Sequence, residues 1–187
     1  MKNIIVWMFL ILLTGCVQEN KQEEKPLEES IFLLESNWQN QDGKTLKLRD
    51  LKGKNLVVTM IFTRCETACP LLVKDMQQVK AKLDKKHQKD TDFILVSVDP
   101  ENDTPEVLKA YAQKNNLTDG SWKLLRSNAE DTRELANVLA TKYKQITPIV
   151  FSHSNIITVF NKQGEMVSQA EGTVKDEEVA ATVNQLP

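Results

Sequence analysis

Cys65 and Cys69 lie in the run Phe62-Thr63-Arg64-Cys65-Glu66-Thr67-Ala68-Cys69-Pro70, directly after a strand-like apolar segment and directly before a helix-like one. Two soft sulfur donors at a strand-to-helix junction have two chemistries open to them, metal capture and thiol–disulfide exchange. Unpaired N–H groups and the dipole at a helix start stabilise negative charge. A thiolate therefore forms there more readily than in a free cysteine, whose pKa is about 8.5. Arg64 adds to that effect and Glu66 opposes it. Pro70 has no N–H to donate, but the first helical turn needs none there. If both cysteines were helical, their Cβ atoms would stand about 5–6 Å apart on one face. A disulfide wants about 3.5–4.5 Å, so bridging requires Cys65 to sit off the regular helix. One metal ion tolerates the wider gap, because metal–sulfur bonds of about 2.3 Å span it. The spacing leans towards metal and leaves oxidation open.

The chain has two histidines. His87, between Lys86 and Gln88 on a charged helix end, reads as a solvated residue. His153, in Ser152-His153-Ser154 just before an apolar strand, is either a hydrogen-bonded loop residue or a third ligand. Two thiolates and an imidazole suit Cu(I), and with an added weak ligand they can hold Cu(II). Zinc accepts the same donors but wants a fourth.

The third cysteine belongs to an export signal. Lys2 precedes an apolar stretch from Ile4 to Leu13, too short to span a bilayer comfortably. It ends in Leu13-Thr14-Gly15-Cys16, which resembles the lipobox of bacterial lipoproteins. On that reading residues 1–15 are a signal peptide, and Cys16 carries lipid and becomes the N-terminus. Residues 16–30, rich in Gln, Glu, Asn and Lys, form a solvated tether. Residues 31–187 form one folded domain, held by lipid on the extracytoplasmic side of a membrane. Removing 1–15 takes away Lys2 alone and leaves 23 basic against 26 acidic residues. Such a balance offers no basic face for nucleic acid.

The elements that must position these groups follow from hydrophobic pattern. Ile31 to Trp38 and Lys44 to Leu48 flank the turn Asn40-Gln41-Asp42-Gly43 and read as a hairpin. Asn55 to Thr63 is a nearly continuous apolar run, a strand buried on both faces. Leu72, Met76, Val79 and Leu83 recur on one face of a helix continuing towards Lys86. Phe93 to Val98 is a second buried strand. Asp103-Thr104-Pro105-Glu106 starts a helix that runs to about Asn116. Trp122 to Leu125 is a short strand, followed by a helix from about Glu130 to Tyr143. Asn155 to Phe160 and Glu165 to Ala170 make a hairpin across Gly164, and Asp176 to Leu186 is a closing helix. This order is that of an α/β, thioredoxin-like fold with an N-terminal β-hairpin extension, four of its strands sharing one sheet. In such a fold the cysteines start the helix after a central strand, and the loop entering the Asn155–Phe160 strand passes beside that helix. His153 lies in that loop.

These residues together resemble the Sco/SenC family: Phe62-Thr63-x-Cys65-x-x-x-Cys69-Pro70, then Val96-Ser97-Val98-Asp99-Pro100-Glu101-x-Asp103-Thr104-Pro105, then His153-Ser154 before a strand and the Gly164 turn. The resemblance covers most of the chain from about Phe32. Sco proteins are membrane-held, thioredoxin-fold copper proteins that assist assembly of the dinuclear copper centre of cytochrome c oxidase. The resemblance implies that Cys65, Cys69 and His153 are copper ligands, that the copper-centre subunit of the oxidase is the partner, and that the protein is a monomer. Asp99 matches a family acidic residue near the site; from the residues alone it is a turn residue capping a strand end. Glu66 stands where many members have Pro, and Ser152 where many have Asp. The stretch from Tyr143 to His153 is short beside the long insertion of many relatives. The leading function is thus a copper metallochaperone. The alternative is a thiol–disulfide oxidoreductase in which Cys65 and Cys69 are catalytic, keeping the oxidase cysteines reduced. A peroxidase acting through Cys65 draws only on Thr63-x-Cys65.

Overall fold

A computed structural model describes residues 30–147, 150–172 and 175–187. The signal peptide, Cys16 and the tether up to residue 29 lie outside the described residues. Among the described residues no helix is long and apolar enough to cross a membrane.

Seven strands form one sheet in the order β2 (Thr45–Lys47), β1 (Asn37–Asn40), β5 (Trp122–Arg126), β4 (Thr91–Ser97), β3 (Asn55–Ile61), β8 (Ile156–Phe160) and β9 (Met166–Glu171). Its centre is β3 (Asn55–Ile61) and β4 (Thr91–Ser97), paired in parallel along their whole length and buried at every position. The apolar runs of both strands require this, since helices cover both faces of a central parallel pair. β5 (Trp122–Arg126) extends the parallel set, and β8 (Ile156–Phe160) joins β3 from the other side, antiparallel. β9 (Met166–Glu171) closes the hairpin across Gly164. The mixed α/β architecture is the expected thioredoxin-like one.

The N-terminal hairpin is shorter than its apolar residues suggest. Ile31–Leu33 is a 3-10 turn capped by Ser30, and only Asn37–Asn40 (β1) pairs with Thr45–Lys47 (β2). Ile31 and Phe32 are buried without being in a strand. Their Ser30–Phe32 segment lies so close to Gly164 that a Cβ there would clash with Ser30 and the Phe32 ring, and its φ of +80° also favours glycine. β1 also pairs with β5, so the hairpin is part of the same sheet and raises its strand count beyond the four expected.

Helix α1 (Ala68–Lys82) buries Cys69, Leu72, Val73, Met76 and Val79, as the periodicity requires. It does not continue to Lys86. Leu83 turns extended, and Asp84 caps a separate short helix, α2 (Lys85–Asp90). His87 on α2 is not solvated. It is 3% exposed, with Nδ1 against the Asp84 carboxylate and Nε2 against the Leu186 carbonyl, each at 2.9 Å. The charged neighbours that made it look like a surface residue point outward, while the imidazole fastens the C-terminal segment to α2.

Helix α3 (Pro105–Lys114) starts with Thr104 accepting from the Val107 N–H and Pro105 in the first turn. Helix α4 (Ala129–Val138) stops well before Tyr143, because the backbone turns left-handed at Ala140 and Thr141 donates back to the Ala136 carbonyl. The chain then forms a hairpin that the hydrophobic pattern did not reveal. Its strands are β6 (Tyr143–Thr147) and β7 (Val150–His153), a two-stranded sheet of its own. The described residues of β6 are mostly exposed, so no alternating apolar signal marks it. Helix α5 (Asp176–Asn184) closes the fold.

Candidate metal centre

Cys65 sits in the loop leaving β3, where its N–H donates to the Phe62 carbonyl at 3.1 Å. It precedes α1 and is therefore off the regular helix. The spacing argument for metal over disulfide assumed both cysteines helical, and that condition is not met. Cys69, inside the first turn, is fully buried; Cys65 is partly exposed.

His153 arrives at the end of β7. Its Nε2 lies 3.3 Å from the Cys69 sulfur. The ligand atoms of Cys65, Cys69 and His153 all fall within 4.8 Å of one another, the one such cluster of three or more potential metal ligands among the described residues. The short stretch after Tyr143 therefore suffices, because the β6–β7 hairpin folds back and pairs Tyr143 with His153. Phe62 meets the imidazole edge-on at 5.9 Å between centroids, and Phe151 packs on Phe62 at 5.5 Å. On the other side the His153 Nδ1 faces the Ser154 carbonyl at 3.1 Å. A carbonyl only accepts, so Nδ1 carries the proton and Nε2 turns its lone pair towards the thiols.

The two thiols are electrostatically unlike. Burial raises the Cys65 thiol, but the backbone N–H groups of Cys69, Thr67 and Ala68 outweigh it, and the net effect is a pKa below the usual thiol value. The Cys69 N–H stands 3.3 Å from the Cys65 sulfur. This is the helix-start effect expected from sequence, delivered by the first turn of α1. The Arg64 guanidinium donates to Asp99 at 2.5 Å. Burial pushes the Cys69 thiol far up, and the neighbouring Cys65 and Asp103 charges add to it. Cys69 thus holds its proton between the Cys65 sulfur and His153 Nε2. Burial lowers the His153 pKa against the opposing pull of the Ser154 carbonyl, which keeps the imidazole neutral. The free protein presents one accessible thiol that ionises more readily than usual, one buried thiol that does not, and one neutral imidazole.

This asymmetry predicts ordered alkylation. With iodoacetamide under non-denaturing conditions, Cys65 should react at a pH below that of a free thiol and Cys69 should stay unmodified. Mass mapping of the labelled peptide checks both. Equal labelling of the two would contradict the arrangement.

Asp99 is 2% exposed and serves both readings of it. Its backbone carbonyl accepts from Asn102 and Asp103 in the turn after β4, while its carboxylate holds Arg64, the residue before Cys65. Sequence reasoning missed Asp103, which is 0% exposed. Its carboxylate accepts from the Thr63 hydroxyl and the Ser97 hydroxyl at 2.5 Å each, and from the Thr63 N–H at 3.3 Å, tying the Cys65 loop to β4. Two of these donors come from Thr63, 40 positions away, so the sequence signalled only a polar residue at a helix start. Phe151 was also missed, although it stands two residues before His153 and so shares its strand face. Tyr111 and Phe151 line, with Cys65, a groove of about 930 Å³.

A family model described as SCO1/SenC matches residues 25–186. The chain belongs to the SCO1/SenC family. The SCO1 protein homolog of Bacillus subtilis is 37% identical to this SCO1/SenC chain over 125 residues, 67% of this chain and 63% of that protein. An SCO2-like protein of Rickettsia felis is matched over only 58% of its length, so the matched region is under two thirds of these relatives. Among solved structures, a SCO1/SenC family lipoprotein from Bacillus anthracis superposes with a TM-score of 0.74 at 28% identity, covering 87% of this chain and 98% of that one. ScoI of Bradyrhizobium japonicum, solved with copper bound, shares the fold with a TM-score of 0.70 at 23% identity, over 81% and 97% of the two chains.

Proposed function

We propose that Cys65, Cys69 and His153 together hold one copper ion, and that the chain passes it to the copper-centre subunit of cytochrome c oxidase. The convergence of two sulfurs and the His153 Nε2 within 4.8 Å carries this reading. Two thiolates and one imidazole are mostly soft donors and suit Cu(I) with three ligands, whereas structural zinc wants four. The family is linked to assembly of the oxidase copper centre, and a copper-bound relative shares the fold. Cys65, the more readily ionised and more exposed of the two thiols, makes first contact with the cargo. Cys69 gives up its proton as it becomes a ligand, and Nε2, freed from that thiol, becomes the third donor. Release reverses this order by exchange with thiols of the acceptor. A lipid on Cys16 places the site at a membrane, outside the cytoplasm.

One observation favours a second reading. A reachable low-pKa thiolate backed by a buried thiol also suits thiol–disulfide exchange, with Cys65 attacking and Cys69 resolving the mixed disulfide. That chemistry has no use for His153.

Copper titration of the reduced protein against a competing Cu(I) chelator tests the first reading. Tight one-to-one binding is expected, with transfer to the reduced acceptor subunit on mixing. Binding no better than that of an exposed dithiol would leave thiol exchange as the function.

A further inference from the structure

On the far side of Phe151 from the Cys65 groove lies a second cleft of about 640 Å³, between the start of α4 and the first residues of β6. Nothing in the metal chemistry uses it. Its floor includes Val98, Ala136, Tyr143 and Phe151, and its charged lining is Arg126, Arg133 and Lys142 against Asp99 and Glu101. Asp99 is already matched by Arg64. The Arg126 guanidinium donates only to neutral oxygens, those of Pro100 and Gln39. Arg133 and Lys142 form no ion pair among the described residues. The cleft is therefore a basic, partly aromatic recess in a chain whose overall balance is acidic.

Its position gives the recess a second property. Tyr143 pairs directly with His153, and the Lys142 carbonyl accepts from the Ser154 N–H at 2.9 Å. Among the described residues the β6–β7 hairpin has no ladder to the main sheet. An occupant pressing on Lys142 and Tyr143 thus bears on the strand that carries His153. Arginine and lysine around an apolar floor recognise acidic peptide segments, and charges at such a rim govern association rate and salt dependence.

We infer that this cleft docks an acidic segment of the copper acceptor, next to the hairpin that presents His153. The inference rests on the proposed function, because the acceptor is the one named there. Continuity with the centre through Phe151 favours the acceptor over a free anion, which would leave the aromatic floor unused. Docking here positions the acceptor thiols towards Cys65 from one side while the segment contacts the His153 hairpin from the other.

The test is association of the full, reduced chain with the oxidase copper-centre subunit, for wild type and the double variant Arg133→Glu/Lys142→Glu. A copper titration of both proteins runs alongside. Association should weaken about tenfold or more in the variant at low salt, and the difference should shrink as ionic strength rises. Copper affinity should be unchanged. Equal association of wild type and variant overturns the inference, and so does a wild type that binds copper without associating. Two further probes are citrate, a small tricarboxylate, and phosphatidylglycerol vesicles, both offered to the copper-free chain. Binding of citrate or vesicles that the variant loses, with acceptor association intact, assigns the cleft to those ligands and overturns it too. Failure of wild type to bind copper shows in the titration alone and overturns the reading of the site instead.

Discussion

Cys69→Ser is expected to abolish tight copper binding while leaving the fold in place. Serine is nearly isosteric with cysteine, and its hydroxyl can still donate to His153 Nε2, which faces the Cys69 sulfur at 3.3 Å. A hydroxyl does not ionise near neutral pH, however, and a hard oxygen is a poor partner for Cu(I). Changes to groups that merely orient ligands already cost about 10–100-fold in metal affinity, so loss of a ligand should cost on the order of 100-fold or more. The variant should also change the pH dependence. In the free wild type, burial keeps Cys69 protonated through the neutral range, so each copper captured displaces that proton. Wild-type affinity should accordingly rise with pH, by about tenfold per unit for one proton released. Cys69→Ser should flatten that slope. Chelator competition at several pH values, with a thermal melt to confirm folding, reads all three effects. Retained affinity with a retained slope would remove Cys69 from the site.

His153→Ala is the second large effect and separates the two functional readings. The imidazole is the only nitrogen donor in the cluster, and its removal leaves a dithiol. Copper affinity should fall about 10–100-fold or more. The side chain makes an edge contact with Phe62 and hydrogen bonds with the Cys69 thiol and the Ser154 carbonyl, so its loss should cost about 1–3 kcal/mol of stability. Thiol–disulfide exchange should proceed at close to the wild-type rate, because neither the attacking nor the resolving sulfur is touched. Measuring copper competition and reduction of a disulfide substrate on the same preparation gives the comparison. An undiminished copper affinity would take His153 out of the centre; a large loss of exchange rate with unchanged copper binding would favour the oxidoreductase.

Much of the fold was legible because its signals are local. Both β3 and β4 are buried at all seven positions, and the apolar stretches Leu56–Val58 and Phe93–Val96 within them mark the strands in the sequence. Thr104-Pro105 and the Gly164 turn act through their own dihedrals, and Leu72, Met76 and Val79 repeat at the period of the helix they face inward from. What misled was exposure and composition. His87 sits among lysines yet its ring is buried against the C-terminal segment. β6 is largely exposed and carries no alternating pattern, and the helix expected before it runs too far, to Tyr143 instead of Val138. The first hairpin strand was overextended because Ile31 and Phe32 are buried by a 3-10 turn rather than by a ladder.

The sequence by itself determined that two sulfurs stand at the end of a buried strand and the start of a helix, where peptide N–H groups favour a thiolate. It determined too that a histidine lies before the strand that pairs beside them, because strand order and the position of a helix start follow from periodicity and backbone geometry. Only the tertiary structure decided that Nε2 reaches the Cys69 sulfur across 84 positions of chain. It also decided that the two thiols differ in pKa, and that Asp103, bonded to Thr63 and Ser97, ties the loop under Cys65 to β4. These depend on which side chains are buried against which, and desolvation and hydrogen-bond direction exist only once distant segments are packed together.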